Sequence, residues 1–126
     1  MSLRTPLGRV LGLGSAKDGT AHFWGQRVSG IALALLGSWF VVCFAASGDF
    51  SHAAVIAEVA KPLNSLLLIL LSITLAYHSQ LGVQVVIEDY VHGHGLKIAS
   101  LLLSRFVHTL FAAAAVYAVI RIGTGA

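Results

Sequence analysis

Charged side chains are scarce in this chain. Of its 126 residues, 10% are charged and 57% are hydrophobic, whereas a soluble domain carries about 25% charged residues. Such a shortfall leaves too little polar surface to cover a globule in water. The composition therefore excludes an ordinary soluble domain and favours a membrane protein.

Cysteine is almost absent, since Cys43 is the only one. A single thiol excludes an intrachain disulfide, and it excludes a metal cluster held only by thiolates of this chain. Within an apolar run, Cys43 acts as a small apolar filler. The net charge is a modest +3. Basic residues beside a membrane suit anionic headgroups or an acidic partner surface, so the charge does not call for nucleic acid.

The apolar residues fall in long runs rather than in alternation. Val28–Ala46 contains 19 residues without a charge and Pro62–Ile87 contains 26, while Ile98–Ile120 contains 23 interrupted by Arg105 and His108. A helix of about 20 apolar residues spans a hydrocarbon core of about 30 Å. Strands of a membrane barrel would instead show segments of about 10 residues with in-out alternation. The runs predict three transmembrane helices.

The predicted fold is all-α and integral to the membrane, in a single domain over residues 1–126. We expect helices at about 22–46, 61–90 and 96–122. Ser47-Gly48-Asp49 is a turn signal, and residues 51–58 are predicted to form a short interfacial helix. Pro62 suits the first turn of the second long helix, where its missing N–H would be unpaired anyway. The glycine-rich residues 1–20 are expected to form an irregular lead-in that needs a partner to become ordered.

Orientation follows from the basic residues that flank the predicted spans. Five of them share one side and two lie on the other: Arg4, Arg9, Lys17, Arg27 and Lys97 against Lys61 and Arg121. Because cytoplasmic flanks carry the excess of Lys and Arg, the N-terminus is expected on the cytoplasmic or matrix side. With three spans, the C-terminus is expected on the periplasmic side of an inner (cytoplasmic) membrane.

His78 lies inside an uncharged apolar span. An ionisable side chain at membrane depth is expensive and marks a functional site by default, and imidazole is a common axial ligand of haem iron. Gly82 lies one turn further on the same face, where the lack of a side chain would leave room for a porphyrin. The alternative is a structural histidine bonded to Ser72, Thr74 or Ser104, and both interpretations stay open at this point.

Asp89 and Tyr90 lie where this span ends. Eleven residues at about 100° each bring Asp89 back to the face of His78, about 16 Å further along the helix. A phenol beside a carboxylate there can donate a hydrogen bond to a quinone carbonyl, although aromatic-belt and solvated-end roles are equally ordinary. Arg27, at the start of the first span, suits bidentate pairing with haem propionates or with Asp89, or simply follows the positive-inside rule.

Other polar residues give weaker signals. Arg105 is placed to extend toward the interface or meet a propionate. His108 and His78 both lie on the cytoplasmic side, which leaves an intrachain bis-histidine haem open. His92 and His94 lack a third ligand in sequence, so they are assigned no metal.

Together these residues resemble the hydrophobic membrane anchor subunit of succinate dehydrogenase (complex II). The resemblance covers the basic N-terminal segment and the three spans, and it is sharpest at His78-x-x-x-Gly82 with Asp89-Tyr90. It also includes the 51-residue interval from Arg27 to His78. By resemblance, His78 is an axial ligand of haem b, Arg27 lies near its propionates, and Tyr90 and Asp89 border the ubiquinone pocket.

The resemblance also implies partners. A second anchor of cytochrome b556 type would supply the other haem ligand, and an iron-sulfur subunit and a flavoprotein subunit would dock on the membrane pair. The chain would not be catalytic alone, and would instead help form the site where ubiquinone takes electrons from succinate. Alternatives are the anchor of a fumarate reductase or other small cytochrome b, and a haem-free structural or transport protein. Three spans without repeated broken helices argue against transport.

Overall fold

A computed structural model describes Leu7 and residues 19–125 of the chain, and every regular element in this part is helical. Between residues 19 and 125 there are four helices: α1 (Gly19–Ser47), α2 (His52–Ala60), α3 (Pro62–Tyr90) and α4 (His94–Thr124). The prediction of an all-α fold is confirmed. Apart from Leu7, Gly19 and Thr20, the predicted irregular lead-in lies outside the described residues, and Gly19 and Thr20 already belong to α1.

Three of the helices are long and apolar enough to cross a bilayer, namely α1, α3 and α4. The shortest of them has 29 residues, which corresponds to about 43 Å at about 1.5 Å per residue. This exceeds a hydrocarbon core of about 30 Å, so each helix reaches the headgroups at both ends. The prediction of three spans is therefore confirmed.

Local sequence explains where the helices begin and end. After α1, Gly48 adopts a left-handed φ of 68°, a conformation that costs glycine little. The hydroxyl of Ser51 then caps α2 by accepting from the Ala54 backbone N–H at 3.3 Å. Lys61 alone separates α2 from α3, because Pro62 holds it in an extended conformation and occupies the first turn of α3.

The long helices form an open layer with α3 in the middle. Helix α3 packs against α1 on one side and α4 on the other, while α1 and α4 do not contact each other. Among the described residues, only Val59, Leu68 and Leu81 are buried hydrophobic side chains. In lipid, apolar surface need not be hidden to stabilise the fold, and helix association relies on close packing and polar contacts. The broad faces of this layer are therefore available to lipid or to other chains.

One polar cluster joins α1, α2 and α3 at the end of the layer where α2 lies. The Asn64 amide, on a residue only 8% exposed, donates to the backbone carbonyl of Glu58 at 2.9 Å and to its carboxylate at 3.1 Å. Lys61 pairs with the other oxygen of that carboxylate. The same amide lies 3.7 Å from the Cys43 sulfur on α1. Asn64 thus holds the short helix against two spans.

Replacing Asn64 with alanine should loosen this end of the layer. The substitution removes one hydrogen-bond donor from the half-buried Glu58 carboxylate and one from the Glu58 carbonyl, a loss of about 1–3 kcal/mol in the free energy of unfolding. We expect a lower melting temperature for the Asn64→Ala complex in detergent, followed by circular dichroism. Thr109→Ala is the matched control, because the exposed Thr109 hydroxyl bonds only to the Arg105 carbonyl of its own helix. Equal melting of the two variants would contradict the role of Asn64.

Candidate functional site

His78 lies on α3 and its ring faces α1. The ring Nδ1 is 2.9 Å from the Ser29 hydroxyl, and Nε2 is 3.4 Å from the amide nitrogen of Gln26. The sequence suggested Ser72, Thr74 or Ser104 as structural partners. None of these three hydrogen-bonds to His78 in the described part of the chain, where its partners lie on α1.

Glycines on α1 let the two helices approach each other. A Cβ at Gly30 would lie 3.4 Å from Cε1 of His78, and one at Gly25 would lie 2.7 Å from the Tyr77 hydroxyl. Small residues at helix contacts are the usual means by which transmembrane helices pack. At Gly82 an added Cβ would make only an ordinary 3.9 Å contact with Gln26. The close approach beside His78 therefore depends on α1 glycines rather than on Gly82.

A cavity of about 750 Å³ opens beside His78 on the α1 side. This volume lies within the about 300–1,000 Å³ typical of ligand sites. Besides His78, its lining comes from successive turns of α1: His22, Phe23, Gln26, Arg27, Gly30, Ile31 and Ala34. The structure thus brings together His78 and Arg27, two of the four residues predicted for the site.

Two polar side-chain atoms of residues that line this cavity lack a hydrogen-bond partner within the described part of the chain. They are Nε2 of His22 and the side-chain oxygen of Gln26, both fully shielded from solvent. A buried polar group without a partner costs about 1–3 kcal/mol. His22 and Gln26 both line the cavity, so polar side chains as well as apolar ones surround the space there.

Arg27 is an exposed residue at the edge of the same cavity. Its guanidinium carbon stands 5.2 Å from the centre of the Phe23 ring, a cation–π arrangement. It forms no ion pair with any described residue, since the one pair found there joins Lys61 and Glu58. The guanidinium is therefore available to bind an anionic group from outside these helices.

Asp89 and Tyr90 form the end of α3, which runs without interruption from His78 to Tyr90. Because the helix is unbroken, Asp89 lies on the same face as His78, about 16 Å further along the helix. Both residues are exposed, and Tyr90 is 77% exposed. Neither side chain hydrogen-bonds to another described residue. They lie outside the cavity around His78, at the end of the layer where α1 begins.

His108 occupies a different place and is satisfied within the chain. Its Nδ1 lies 2.7 Å from the Ser104 carbonyl, and its Nε2 lies 3.1 Å from the Ser79 hydroxyl. It borders cavities between α3 and α4, whereas His78 borders the one beside α1. The structure does not bring the two histidines together, which disfavours an intrachain bis-histidine haem. Arg105 is exposed beside Gln80 and Gln84, also on the α4 side.

Three site residues were not singled out from the sequence: His22, Gln26 and Ser29. Their spacing carries a signal, since residues three or four apart share one face of a helix. Gln26 and Gly30 continue the face of His22, and Ser29 lies beside it. The signal that could have identified these residues is a polar stripe on an otherwise apolar span, which starts about one turn before Arg27. The sequence does not indicate which of the other helices this polar stripe faces.

Comparison with known families identifies the chain's relatives. The family model described as Succinate dehydrogenase/Fumarate reductase transmembrane subunit matches residues 1–120. This chain belongs to that family. Its membership makes it a cytochrome b-type membrane subunit of complex II, and the resemblance inferred from His78, Gly82, Asp89 and Tyr90 is confirmed at family level.

Individual members of the succinate dehydrogenase/fumarate reductase transmembrane subunit family agree. A succinate dehydrogenase hydrophobic membrane anchor subunit from Paracoccus denitrificans is 35% identical over 122 residues, covering 97% of this chain and 94% of that protein. One from Rickettsia conorii is 40% identical over 86 residues, covering 67% of this chain and 68% of that protein. A succinate dehydrogenase membrane anchor subunit from Reclinomonas americana is 33% identical over 94 residues, covering 72% and 78% respectively.

These relatives and the three apolar helices support a multi-pass membrane anchor subunit of succinate dehydrogenase. Such a subunit associates with the membrane and with the other subunits of complex II. The open layer of α1, α3 and α4 suits that role, because its broad faces are not closed by the chain itself.

Proposed function

We propose that this chain binds haem b together with a second anchor subunit and helps form the site at which ubiquinone is reduced. The observation that carries the proposal is the cavity beside His78, which is lined by this imidazole, by Arg27 without an ion pair among the described residues, and by the polar side chains of His22 and Gln26. Membership in a family of complex II membrane subunits supports the same conclusion.

The residues of this cavity fit haem. His78 offers an imidazole at membrane depth, and the glycine at position 30 leaves room for its ring against α1. Arg27 supplies a cation suited to a propionate, and His22 and Gln26 supply buried polar atoms that need partners. When bound, haem b supplies a one-electron centre whose potential depends on its ligands and surroundings.

In this proposal, His78 would hold the haem iron through Nε2, and the second anchor, of cytochrome b556 type, would supply a further ligand. Arg27 holds a propionate at the edge of the cavity, where bidentate charge-assisted bonds are strong. A cofactor shared between two subunits also contributes association energy that lipid does not provide. This explains how α1 and α3 can remain uncovered on the side of the cavity.

Arg27→Gln should weaken haem retention about tenfold or more, since a charge-assisted hydrogen bond contributes about 1.5–3 kcal/mol. The haem potential should also fall, because a nearby positive charge favours the reduced form. Haem content per complex and a redox titration of the α-band measure the two effects. Arg27→Lys, which keeps the charge but not the bidentate fork, should retain the potential better than the haem content. Wild-type values in Arg27→Gln would contradict the propionate role.

Asp89 and Tyr90 are proposed to border the quinone pocket. The Tyr90 hydroxyl donates a hydrogen bond to a quinone carbonyl, and Asp89 contributes charge and a route for protons. Their exposure supports the proposal, because a pocket completed by other subunits needs side chains that this chain leaves free. Ubiquinone is the proposed substrate, and electrons arrive from the iron-sulfur subunit.

The proposed orientation places the beginnings of α1 and α4 and the end of α3 on the cytoplasmic side of an inner membrane. Arg27 and Lys97 lie at this end, as the positive-inside rule requires. Here the iron-sulfur subunit docks with the flavoprotein subunit bound to it, close to Tyr90. The C-terminus then emerges on the periplasmic side.

A fumarate reductase anchor is the second candidate, because the matched family covers both enzymes. The two differ in reaction direction and quinone type, and both depend on residues beyond this chain. Rates of succinate oxidation and fumarate reduction with ubiquinone and with a low-potential quinone separate them.

A dithionite-reduced minus oxidised spectrum of the purified complex tests the proposal directly. We expect a sharp b-type α-band that co-purifies with the larger subunits in about one haem per complex. A complete complex that oxidises succinate and contains no haem would overturn the haem assignment and leave only the anchoring role.

A further inference from the structure

Ser29 is one of two buried polar side chains among the described residues, at 5% exposure. Its hydroxyl lies 2.6 Å from the Gly25 carbonyl, 3.3 Å from the Gln26 carbonyl and 2.9 Å from Nδ1 of His78. A hydroxyl has a single hydrogen to donate. These three contacts therefore decide which group carries the proton between Ser29 and His78.

A carbonyl oxygen only accepts, so the Ser29 hydroxyl must donate to the backbone of its own helix. The short distance to Gly25 identifies that carbonyl as the acceptor. The hydroxyl oxygen can then only accept from the imidazole, and Nδ1 of His78 must carry a hydrogen. In a neutral imidazole, protonation of Nδ1 leaves the lone pair on Nε2.

The contact with Gln26 fits the same tautomer of His78. The Gln26 amide nitrogen, which can only donate, lies 3.4 Å from Nε2 of His78. With the amide nitrogen as donor, Nε2 of His78 is the acceptor, as the contact of Nδ1 with Ser29 also requires. The distance is long for a hydrogen bond, so the lone pair is held weakly and remains available to a stronger partner in the cavity.

His108 shows what a structural histidine looks like in the same chain. Its Nδ1 donates to the Ser104 carbonyl, and its Nε2 accepts from the Ser79 hydroxyl at 3.1 Å. Both nitrogens are satisfied at ordinary distances. In His78 only Nδ1 has a close partner, whereas Nε2 has only the long contact with Gln26, and both residues line the cavity.

We infer that Ser29 is a positioning residue, which holds the His78 ring in the protonation state and orientation needed to bind a metal through Nε2. The inference rests on the proposed function, in which that metal is the haem iron. Partners of the second ring nitrogen fix the orientation of a ligating histidine and raise its basicity, and losing one typically costs about 10–100-fold in metal affinity. A more basic imidazole also favours ferric iron and lowers the haem potential.

The test compares Ser29→Ala with wild-type complex. We expect haem retention to fall about tenfold or more, the potential of the remaining haem to rise, and the ferric electron paramagnetic resonance signal to shift as the ring reorients. Ser38→Ala is the matched control, because Ser38 lies on the same helix and its hydroxyl donates to the Ala34 carbonyl at 2.6 Å without touching a histidine. That variant should behave like wild type in all three measurements.

Ser29→Thr and Ser29→Val separate the hydroxyl from the packing, since the two side chains have nearly the same shape. The inference is supported if Thr restores haem retention, potential and resonance signal while Val does not. Equal behaviour of Thr and Val, including a shared failure to assemble, overturns it. Haem loss in His78→Ala with wild-type properties in Ser29→Ala would reject only the role of Ser29, whereas full haem retention in His78→Ala would reject the proposed function itself.

Discussion

His78→Ala should remove most of the haem from the complex. Even a hydrogen-bond partner of a ligating histidine contributes about 10–100-fold to metal affinity, so loss of the ligand itself should cost at least as much. His78 lines the cavity and its Nε2 makes only a long contact with Gln26, and His108 cannot take over because it lies on the α4 side of α3. The amplitude of the reduced α-band per flavin measures the effect.

His108→Ala is the control for this experiment. It removes a histidine from another transmembrane helix and breaks contacts with Ser79 and Ser104, so it matches the loss of packing and hydrogen bonding. We expect this variant to retain its haem. Equal haem loss in both variants would mean that His78 acts through assembly of the membrane domain. Full haem retention in His78→Ala would return the residue to a structural role with Ser29.

Tyr90→Phe should slow quinone reduction while leaving succinate oxidation by an artificial acceptor intact. The substitution removes a single hydroxyl from a side chain that is 77% exposed in this chain, so folding should be unaffected. A hydrogen bond contributes about 0.5–1.5 kcal/mol, which corresponds to a rate reduction of up to about tenfold. The two assays on one preparation separate transfer to quinone from the chemistry of the extrinsic subunits.

Tyr117→Phe provides the comparison, since Tyr117 is also largely exposed, at 63%. Tyr117 lies toward the C-terminal end of α4, at the other end of the helical layer from Tyr90. It should leave both rates unchanged. If Tyr90→Phe lowers both rates in parallel, Tyr90 contributes to docking of the extrinsic subunits and not to the quinone pocket. Unchanged rates in both assays would remove Tyr90 from the site.

The spans were predictable because lipid imposes a simple rule on them. Uncharged runs such as Pro62–Ile87 must satisfy their backbone groups internally, and only a helix does so within one segment. Pro62, Gly48 and Ser51 also act locally, so the break between α2 and α3 and the cap of α2 follow from neighbouring residues. The continuity of α3 through Tyr90 was the condition for linking Asp89 to His78, and the structure meets it.

The partners of His78 were not predictable in the same way. In a soluble helix, an apolar stripe shows which face is buried. In α1 and α3 nearly every face is apolar, so the pattern does not tell which helix covers His78. Serines on α3 and α4 were therefore as plausible as Ser29 on α1. Only the arrangement of the helices, with α3 in the middle and α1 over its histidine, distinguishes them.

The open layer of helices affects the steady-state amount of this subunit in the cell. The broad faces of α1, α3 and α4 are not covered by other described helices of this chain, and two buried polar atoms have no hydrogen-bond partner among the described residues. Copies made in excess of the other complex II subunits would therefore be triaged by membrane proteases. The abundance of this subunit would then follow that of its partners. Degradation of unassembled copies would set the ratio of the complex II subunits after synthesis.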